Sequence, residues 1–222
     1  TRPGASDVST EEELARVIPS ITSLSREFPD AIISIDTFRS AVAKAAVEAG
    51  AVIINDVSGG EADSRMFETA GSLNVPYILM HMRGNPQTMS QLTNYDNLIK
   101  EIMDYFHKKI HALLTTGVKD IIVDPGFGFA KTPAQSFELL QHLDHFQFLG
   151  KPILAGLSRK SLIWKTLGTD PENALNGTTS LNTIALLKGA SILRVHDVKE
   201  AVEAIKLIEQ LPKPHPQQDN PV

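Results

Sequence analysis

Six short apolar runs, each closing on polar or charged residues, alternate with helical segments along most of this chain. They fall at 31–37, 51–56, 76–81, 121–124, 152–156 and 191–196. Strands that alternate with helices specify a parallel sheet. Near-continuous apolar strands fit a sheet covered on both faces. The intervening segments, 39–49, 63–73, 95–116, 134–143, 171–188 and 197–210, carry helical patterning. A further helix precedes the first strand. It opens on Ser9 and Glu12 in a capping-box pattern, runs through Leu14, Val17, Ile18, Ile21 and Leu24, and should kink at Pro19.

The strand ends decide between the two parallel architectures. A doubly wound open sheet gathers its ligand groups at one switch point. A (β/α)8 barrel spreads them around the C-terminal rim of all its strands. Here every run ends in such groups: Asp36, Asn55, His81, Asp124, then Ser158, Arg159 and Lys160, then Arg194 and His196. The sequence therefore predicts an α/β fold, a (β/α)8 TIM barrel, with the first one or two strands absent from the chain as given. Residues 1–210 form one domain, and 211–222, rich in Pro, Gln and Asn, form a disordered tail.

The fourth run leads into Asp124-Pro-Gly-Phe-Gly-Phe-Ala. One carboxylate, two glycines that admit a close backbone, and the rings of Phe127 and Phe129 suit a flat, nitrogen-rich heterocycle. Asp36 and Asn55 can read the donor and acceptor edge of such a ring, and a lysine beside them can reach a ring carbonyl or nitrogen. Arg194 and His196 alternate on one strand and point the same way. A guanidinium fork matches phosphate oxygens. The ring of groups thus suggests phosphate or diphosphate departing from a bound heterocycle, with the protein supplying position and charge.

Other polar groups read as structural. Asp56 and Asp197 are expected to cap the following helices. His81 is expected to be a hydrogen-bonded histidine under a loop. His107 and His111 have the i, i+4 spacing of a metal pair but no third ligand, so they belong to a solvated face, as do Lys108 and Lys109. The glycine turn lacks the Gly-Lys-Ser/Thr ending of a P-loop. The net charge of −5 gives no general attraction to nucleic acid or anionic membrane, and no apolar run reaches the roughly 20 residues a membrane span needs. The absence of cysteine excludes thiolate metal sites and cysteine nucleophiles, and fits a reducing, cytoplasmic setting.

Seven motifs in register resemble the dihydropteroate synthase family. They are Thr1-Arg2-Pro3-Gly4-Ala5, Ile35-Asp36-Thr37, Ile53-Ile54-Asn55-Asp56, Leu79-Met80-His81-Met82, Asp124-Pro125-Gly126-Phe127-Gly128-Phe129, Ser158-Arg159-Lys160-Ser161 and Arg194-Val195-His196-Asp197-Val198. The resemblance runs to about residue 210. It implies a transferase of folate biosynthesis, the target of sulfonamides. Such an enzyme joins 6-hydroxymethyl-7,8-dihydropterin diphosphate to 4-aminobenzoate through a pterin methylene cation. It implies that Asp36, Asn55, Asp124 and Lys160 hold the pterin, in a pocket lined by Met80, Gly128, Phe129 and Gly156. It also implies that Arg194 and His196 take the diphosphate. Thr1, Arg2 and Pro3 would cover aminobenzoate, with Ser158, Arg159 and Lys160 nearby. Asp124, Lys160, Arg194 and His196 would carry the catalysis, with Mg2+ as cofactor and a homodimer as the assembly.

One departure stands out. The family's opening strand and its Asn-Val-Thr-Pro-Asp-Ser-Phe loop have no counterpart here, so the Asn expected to bind Mg2+ would lie upstream and no metal ligand is assigned in this chain. A fragment of a longer protein is the expectation. A pterin-binding methyltransferase acting on a corrinoid would share the acids but has no need of Arg194 with His196 and the Ser158–Ser161 loop. A non-catalytic pterin- or anion-binding module is the alternative of another class.

Overall fold

The computed structural model describes residues 8–212. Four strands, β1 (Ser34–Asp36), β2 (Ile53–Asp56), β3 (Tyr77–Met80) and β4 (Ile121–Asp124), pair in parallel and in chain order. Two more, β5 (Leu154–Ala155) and β6 (Ile192–Leu193), form a parallel pair. The bridge between Val123 and Ile153 joins the two sets. The register Asp36↔Asn55, Asp56↔Leu79 and Met80↔Asp124 brings the polar residues that end successive strands to one rim. All six runs expected as strands contain one, but β5 and β6 keep only two residues each. Arg194 and His196 therefore lie beyond β6 rather than alternating on it, the first reaching Asp36 and the second Ser158. The sequential parallel pairing of the strands is that of a (β/α)8 barrel, six of whose eight strands are among the described residues.

Among the described residues, eight helices clothe the sheet: α1 (Thr10–Glu27), α2 (Ser40–Glu48), α3 (Met66–Leu73), α4 (Leu98–Thr115), α5 (Pro133–Gln141), α6 (Ser161–Leu167), α7 (Leu175–Leu187) and α8 (Val198–Ile208). The long helix α4 turns an apolar stripe inward, formed by Leu98, Ile102, Phe106 and Leu113, all buried. These residues sit at helical spacing, so one face can meet the sheet. Phe106 packs edge-on against Phe146 with ring centroids 5.9 Å apart. One core cluster runs from Ile21 on α1 to Ala190 before β6. Burying one large apolar side chain contributes about 1.5–3 kcal/mol. The cluster thus draws on elements from α1 to the approach to β6.

Several local expectations change. Pro19 sits inside one helix that runs on through Glu27. Only half of the Ser9 capping box forms: Ser9 Oγ accepts from the Glu12 N–H, while the Glu12 carboxylate turns to Arg16. A complete box occurs instead at Thr132 and Gln135, opening α5. Helix α6 is an addition to the expected elements, because its seven residues are too few to show a period. The helix expected at 171–188 starts only at Leu175. Lys109 is not on a solvated face: it pairs with Glu61 and lies over the Phe67 and Tyr105 rings. His107 and His111 are exposed, as expected. Among the described residues no helix is long and apolar enough to cross a membrane. Residues 1–7 and 213–222 lie outside the described residues, and with them the expectations for Thr1, Arg2, Pro3 and most of the tail.

Candidate active site

The loop after β4 is the floor of the mouth. Asp124, 7% exposed, accepts the Gly126 N–H on Oδ1 at 2.8 Å. Its Oδ2 has no hydrogen-bond partner among the described residues. Gly126 has φ +72°, and a Cβ there would stand 2.1 Å from the His81 carbonyl oxygen. No other residue fits that position, which explains the glycine. Burial pushes the Asp124 carboxyl up, opposed chiefly by the Lys160 charge. Phe127 is fully buried in the core, so only Phe129 of the two rings is left near the mouth.

Lys160 comes over this floor from the loop after β5. Its Nζ donates to the Phe127 carbonyl at 2.6 Å and lies 4.7 Å from the centroid of the Phe129 ring. Burial lowers its pKa to about 8, against the pull of Asp124. Gly156 sits between Lys160 and Arg194, since a Cβ on it would come within 3.8 Å of Lys160 Nζ and 3.9 Å of Arg194 Cβ. Gly128 borders the Lys160 stem in the same way. Met80 is buried beside Phe129 in a small apolar cluster. Met80, Gly128, Phe129, Gly156, Asp124 and Lys160 are therefore one neighbourhood.

Across the rim, Arg194 Nη2 lies 3.3 Å from Asp36 Oδ2. Asp36 Oδ1 is buried with no hydrogen-bond partner among the described residues. Burial raises the Asp36 pKa, and Arg194 opposes the rise. The Asn55 amide lies beside the same carboxyl. Ser158 Oγ accepts the His196 N–H at 3.2 Å and contacts His196 Nδ1 at 2.9 Å. That pairing fixes the imidazole and leaves Nε2 for another partner. A cleft of about 920 Å³ opens beside Asp36, walled in part by Phe38, Val57, Met82 and Pro86. Its size is that of a site for a small molecule.

Arg159 departs from its expected substrate role. Its Nε and Nη2 hold both oxygens of Asp197 at 2.9 and 2.7 Å, and its Nη1 donates to the carbonyls of Pro171 and Glu172. That commits the guanidinium fork to the protein, where it ties the Ser158–Lys160 loop to the start of α8. Arg159 has φ +52°, a left-handed conformation that the clamp secures. Asp197 accordingly makes no capping bond to α8. Asp56 caps no helix either. Its Oδ1 accepts from the N–H and Oγ of Ser58, and its Oδ2 from the Gly60 N–H and the Tyr77 hydroxyl.

The residue overlooked in the sequence is Lys131. It is 6% exposed, and its Nζ lies 3.1 Å from the Gly126 carbonyl, 3.0 Å from the Phe129 carbonyl and 2.9 Å from His81 Nδ1. Burial drives its pKa well below the ordinary lysine value and also keeps the His81 imidazole well below its own. The only hint was a lysine between an apolar turn and a helix cap, where no solvent-facing surface was due. His81 is the buried, hydrogen-bonded histidine expected, packed edge-on to Tyr105.

The site thus sets Lys160, Lys131 and Arg194 against Asp124 and Asp36, and leaves one oxygen of each acid unspent. Such a mouth can accept an anion and hold the donor edge of a heterocycle. Among the described residues no group of three His, Cys, Asp or Glu could hold a metal ion, and Arg194 occupies one oxygen of Asp36. These residues by themselves do not fit a Mg2+ site.

Residues 1–196 match the pterin binding enzyme family. The chain is 40% identical over 211 residues to the dihydropteroate synthase of Escherichia coli K12, covering 94% of this chain and 74% of that one. It is 45% identical over 214 residues to the Synechocystis dihydropteroate synthase, covering 95% and 74%. The fold superposes on the Yersinia pestis dihydropteroate synthase, solved with a sulfonamide drug complex, with a TM-score of 0.90 at 38% identity, over 94% of this chain and 76% of that one. It also matches the Xanthomonas albilineans enzyme in complex with 7,8-dihydropteroate, with a TM-score of 0.85 at 37% identity, over 92% and 77%. With a barrel fold, a family match over residues 1–196 and these relatives along nearly its whole length, the chain belongs to the pterin-binding enzymes, and among them to the dihydropteroate synthases.

Proposed function

We propose that this chain condenses 6-hydroxymethyl-7,8-dihydropterin diphosphate with 4-aminobenzoate, giving 7,8-dihydropteroate and diphosphate, and that the residues above divide the work. The observation that carries the assignment is Asp124: a buried carboxylate with one oxygen spent on its own turn and the other free, beside Lys160. The free oxygens of Asp124 and Asp36, with the Asn55 amide, accept from and donate to the pterin edge. Lys160 adds a donor, and Phe129 and Met80 bound the ring.

In the reaction the methylene C–O bond breaks and its electron pair leaves on the diphosphate. The lone pair of the aniline nitrogen then forms the C–N bond, and the anilinium loses its proton. Positive charge grows on the pterin as negative charge grows on the leaving group. Asp124 faces the first, and Arg194 with His196 Nε2 faces the second. Charges held in place in advance stabilise such a transition state without reorganisation. Mg2+, if bound, would add charge to the diphosphate. Its ligands would have to include groups other than the described residues. The same reading includes a homodimer and a cytoplasmic setting. Exposed apolar side chains on α7 and α8, such as Leu187 and Leu207, support the dimer, and sedimentation velocity tests it.

Incubating the chain with the pterin diphosphate and 4-aminobenzoate, and following diphosphate release, tests the function. Release that depends on aminobenzoate supports it. Pterin binding with no aminobenzoate-dependent release would leave a binding module instead.

A further inference from the structure

Lys131 takes no part in the chemistry above, yet its amine is buried directly beneath the pterin floor. In the turn it underlies, Gly126 and Gly128 take positive φ freely, but Ala130 also has positive φ without being glycine. Ala130 in that region costs about 1–3 kcal/mol, so the surroundings must hold it. The carbonyls of this turn point to two amines. Phe127 O receives Lys160 from the mouth side, while Gly126 O and Phe129 O receive Lys131 from below. The third contact of Lys131, to His81 Nδ1, anchors the amine to the end of β3. Gly126 is also the residue whose N–H orients Asp124, and its carbonyl accepts the Phe129 N–H at 3.0 Å. The Tyr95 hydroxyl closes the far side by donating to the Ala130 carbonyl at 3.0 Å.

We propose that Lys131 is a positioning residue: its amine braces the turn after β4, and through Gly126 and Phe129 it sets the geometry in which Asp124 and the Phe129 ring meet the pterin. The proposal rests on the pterin reading of the mouth. The brace acts on the pterin half of the site. The diphosphate half, Arg194 and His196, is held independently through Asp36 and Ser158. Without the amine, the Phe129 carbonyl loses its donor and the Gly126 carbonyl keeps only the Phe129 N–H, so the turn is freer to relax.

The chain contains no cysteine, so a Lys131→Cys variant can be alkylated at one site. Alkylation under denaturant with 2-bromoethylamine, followed by refolding, restores a lysine-length amine. Alkylation with iodoacetamide gives a neutral control. Two readouts separate the proposal from the reading it rests on. The first is amide hydrogen exchange of Gly126, Phe129 and Ala130 in the ligand-free protein. We expect it to accelerate at least tenfold in Lys131→Cys and in the neutral adduct, and to recover in the aminoethyl adduct, while the amides of β1 and β2 are unchanged. The second is calorimetric affinity for 6-hydroxymethylpterin and for inorganic diphosphate. We expect pterin affinity to fall at least tenfold without the amine and to return with it, with diphosphate affinity within twofold throughout. Unchanged exchange at the turn would overturn the brace whatever the ligand. Accelerated exchange with equal loss of both affinities would overturn its selective role. Failure of the unmodified chain to bind pterin would refute the function, while the exchange data would still judge the brace. If Lys131→Cys does not refold unalkylated, the two adducts alone decide.

Discussion

Strands β2 and β4 end alike, in an aspartate followed by a glycine-bearing turn, and the two carboxylates have opposite fates. Asp56 receives four hydrogen bonds, two on each oxygen, from Ser58, Gly60 and Tyr77. Asp124 receives one, from Gly126. Both are buried, so burial does not separate them. The distinction is unspent acceptor capacity. A carboxylate whose lone pairs are all used holds a loop together. One with an oxygen left over, beneath a mouth that also holds Lys160, has acceptor capacity to offer a ligand. The difference arises from the neighbours of each acid. Ser58 and the nearby Tyr77 are donors that fold back, while Pro125 has no N–H to give and Phe127 turns into the core.

The comparison can be broken or sharpened by substitution. Asp124→Asn keeps an oxygen for the Gly126 N–H but removes the charge that the proposed function sets against the pterin. We expect kcat/KM to fall by about 10²–10³-fold with the fold intact by circular dichroism. Activity near that of the unmodified chain would end the distinction. Arg194→Ala removes the donor on the far side of the mouth, and a hydrogen bond to a charged group contributes about 1.5–3 kcal/mol, so affinity for diphosphate should drop about tenfold to a hundredfold by calorimetry.

Lys160 supplies a pH test. With its pKa lowered to about 8, it is a cation below that pH and loses its proton above it. Because kcat/KM reports the free enzyme, it should fall by up to about tenfold per pH unit above that point. Lys160→Arg should abolish that fall, since a guanidinium stays charged, even if the variant is slower. A flat profile in the unmodified chain between about pH 7 and 9.5 would remove Lys160 from the binding of substrate.

Asp56→Asn is the mirror of the first substitution. It leaves donors without a charged acceptor, and we expect a loss of about 1–3 kcal/mol in urea-unfolding stability. Activity measured well below the melting temperature should stay within twofold. A collapse in activity without a loss of stability would reverse the roles of the two acids. At the bottom of the scale, His107→Ala and His111→Ala should each alter stability by no more than about 0.5 kcal/mol, as exposed positions do, with zinc having no effect on either.

The barrel was legible because strand runs and their polar ends recur at the scale of one βα unit, and every such run proved to contain a strand. The strand-end residues meet in pairs that the sequence did not specify: Asp36 with Arg194, Asp124 with Lys160, Ser158 with His196. Three further things were not legible, each for a physical reason. Helix α6 has too few residues to show a period. Arg159 resembles any phosphate-binding arginine until Asp197, 38 positions on, takes its fork. Lys131 is hidden because a buried lysine needs partners that the turn supplies through backbone carbonyls, and carbonyls have no sequence signature. Asp56 and Asp197 share this limit: the bonds that define them come from tertiary neighbours, not from the helix each precedes.

The contact between Asp36 and Arg194 has a meaning beyond the site. Asp36 ends the first described strand and Arg194 adjoins the last, 158 positions apart, in a sheet where every strand pairing joins neighbours in sequence. Strand can add to strand progressively, but this closure is available only after all six are in place. A ligand held by both residues therefore acts as a reversible cross-link over the longest loop of the fold. It would stabilise the whole sheet against fraying from either edge, by about 2.7 kcal/mol at a hundredfold excess over Kd. For this chain, a ligand in the mouth would reinforce a closure that Asp36 and Arg194 already make.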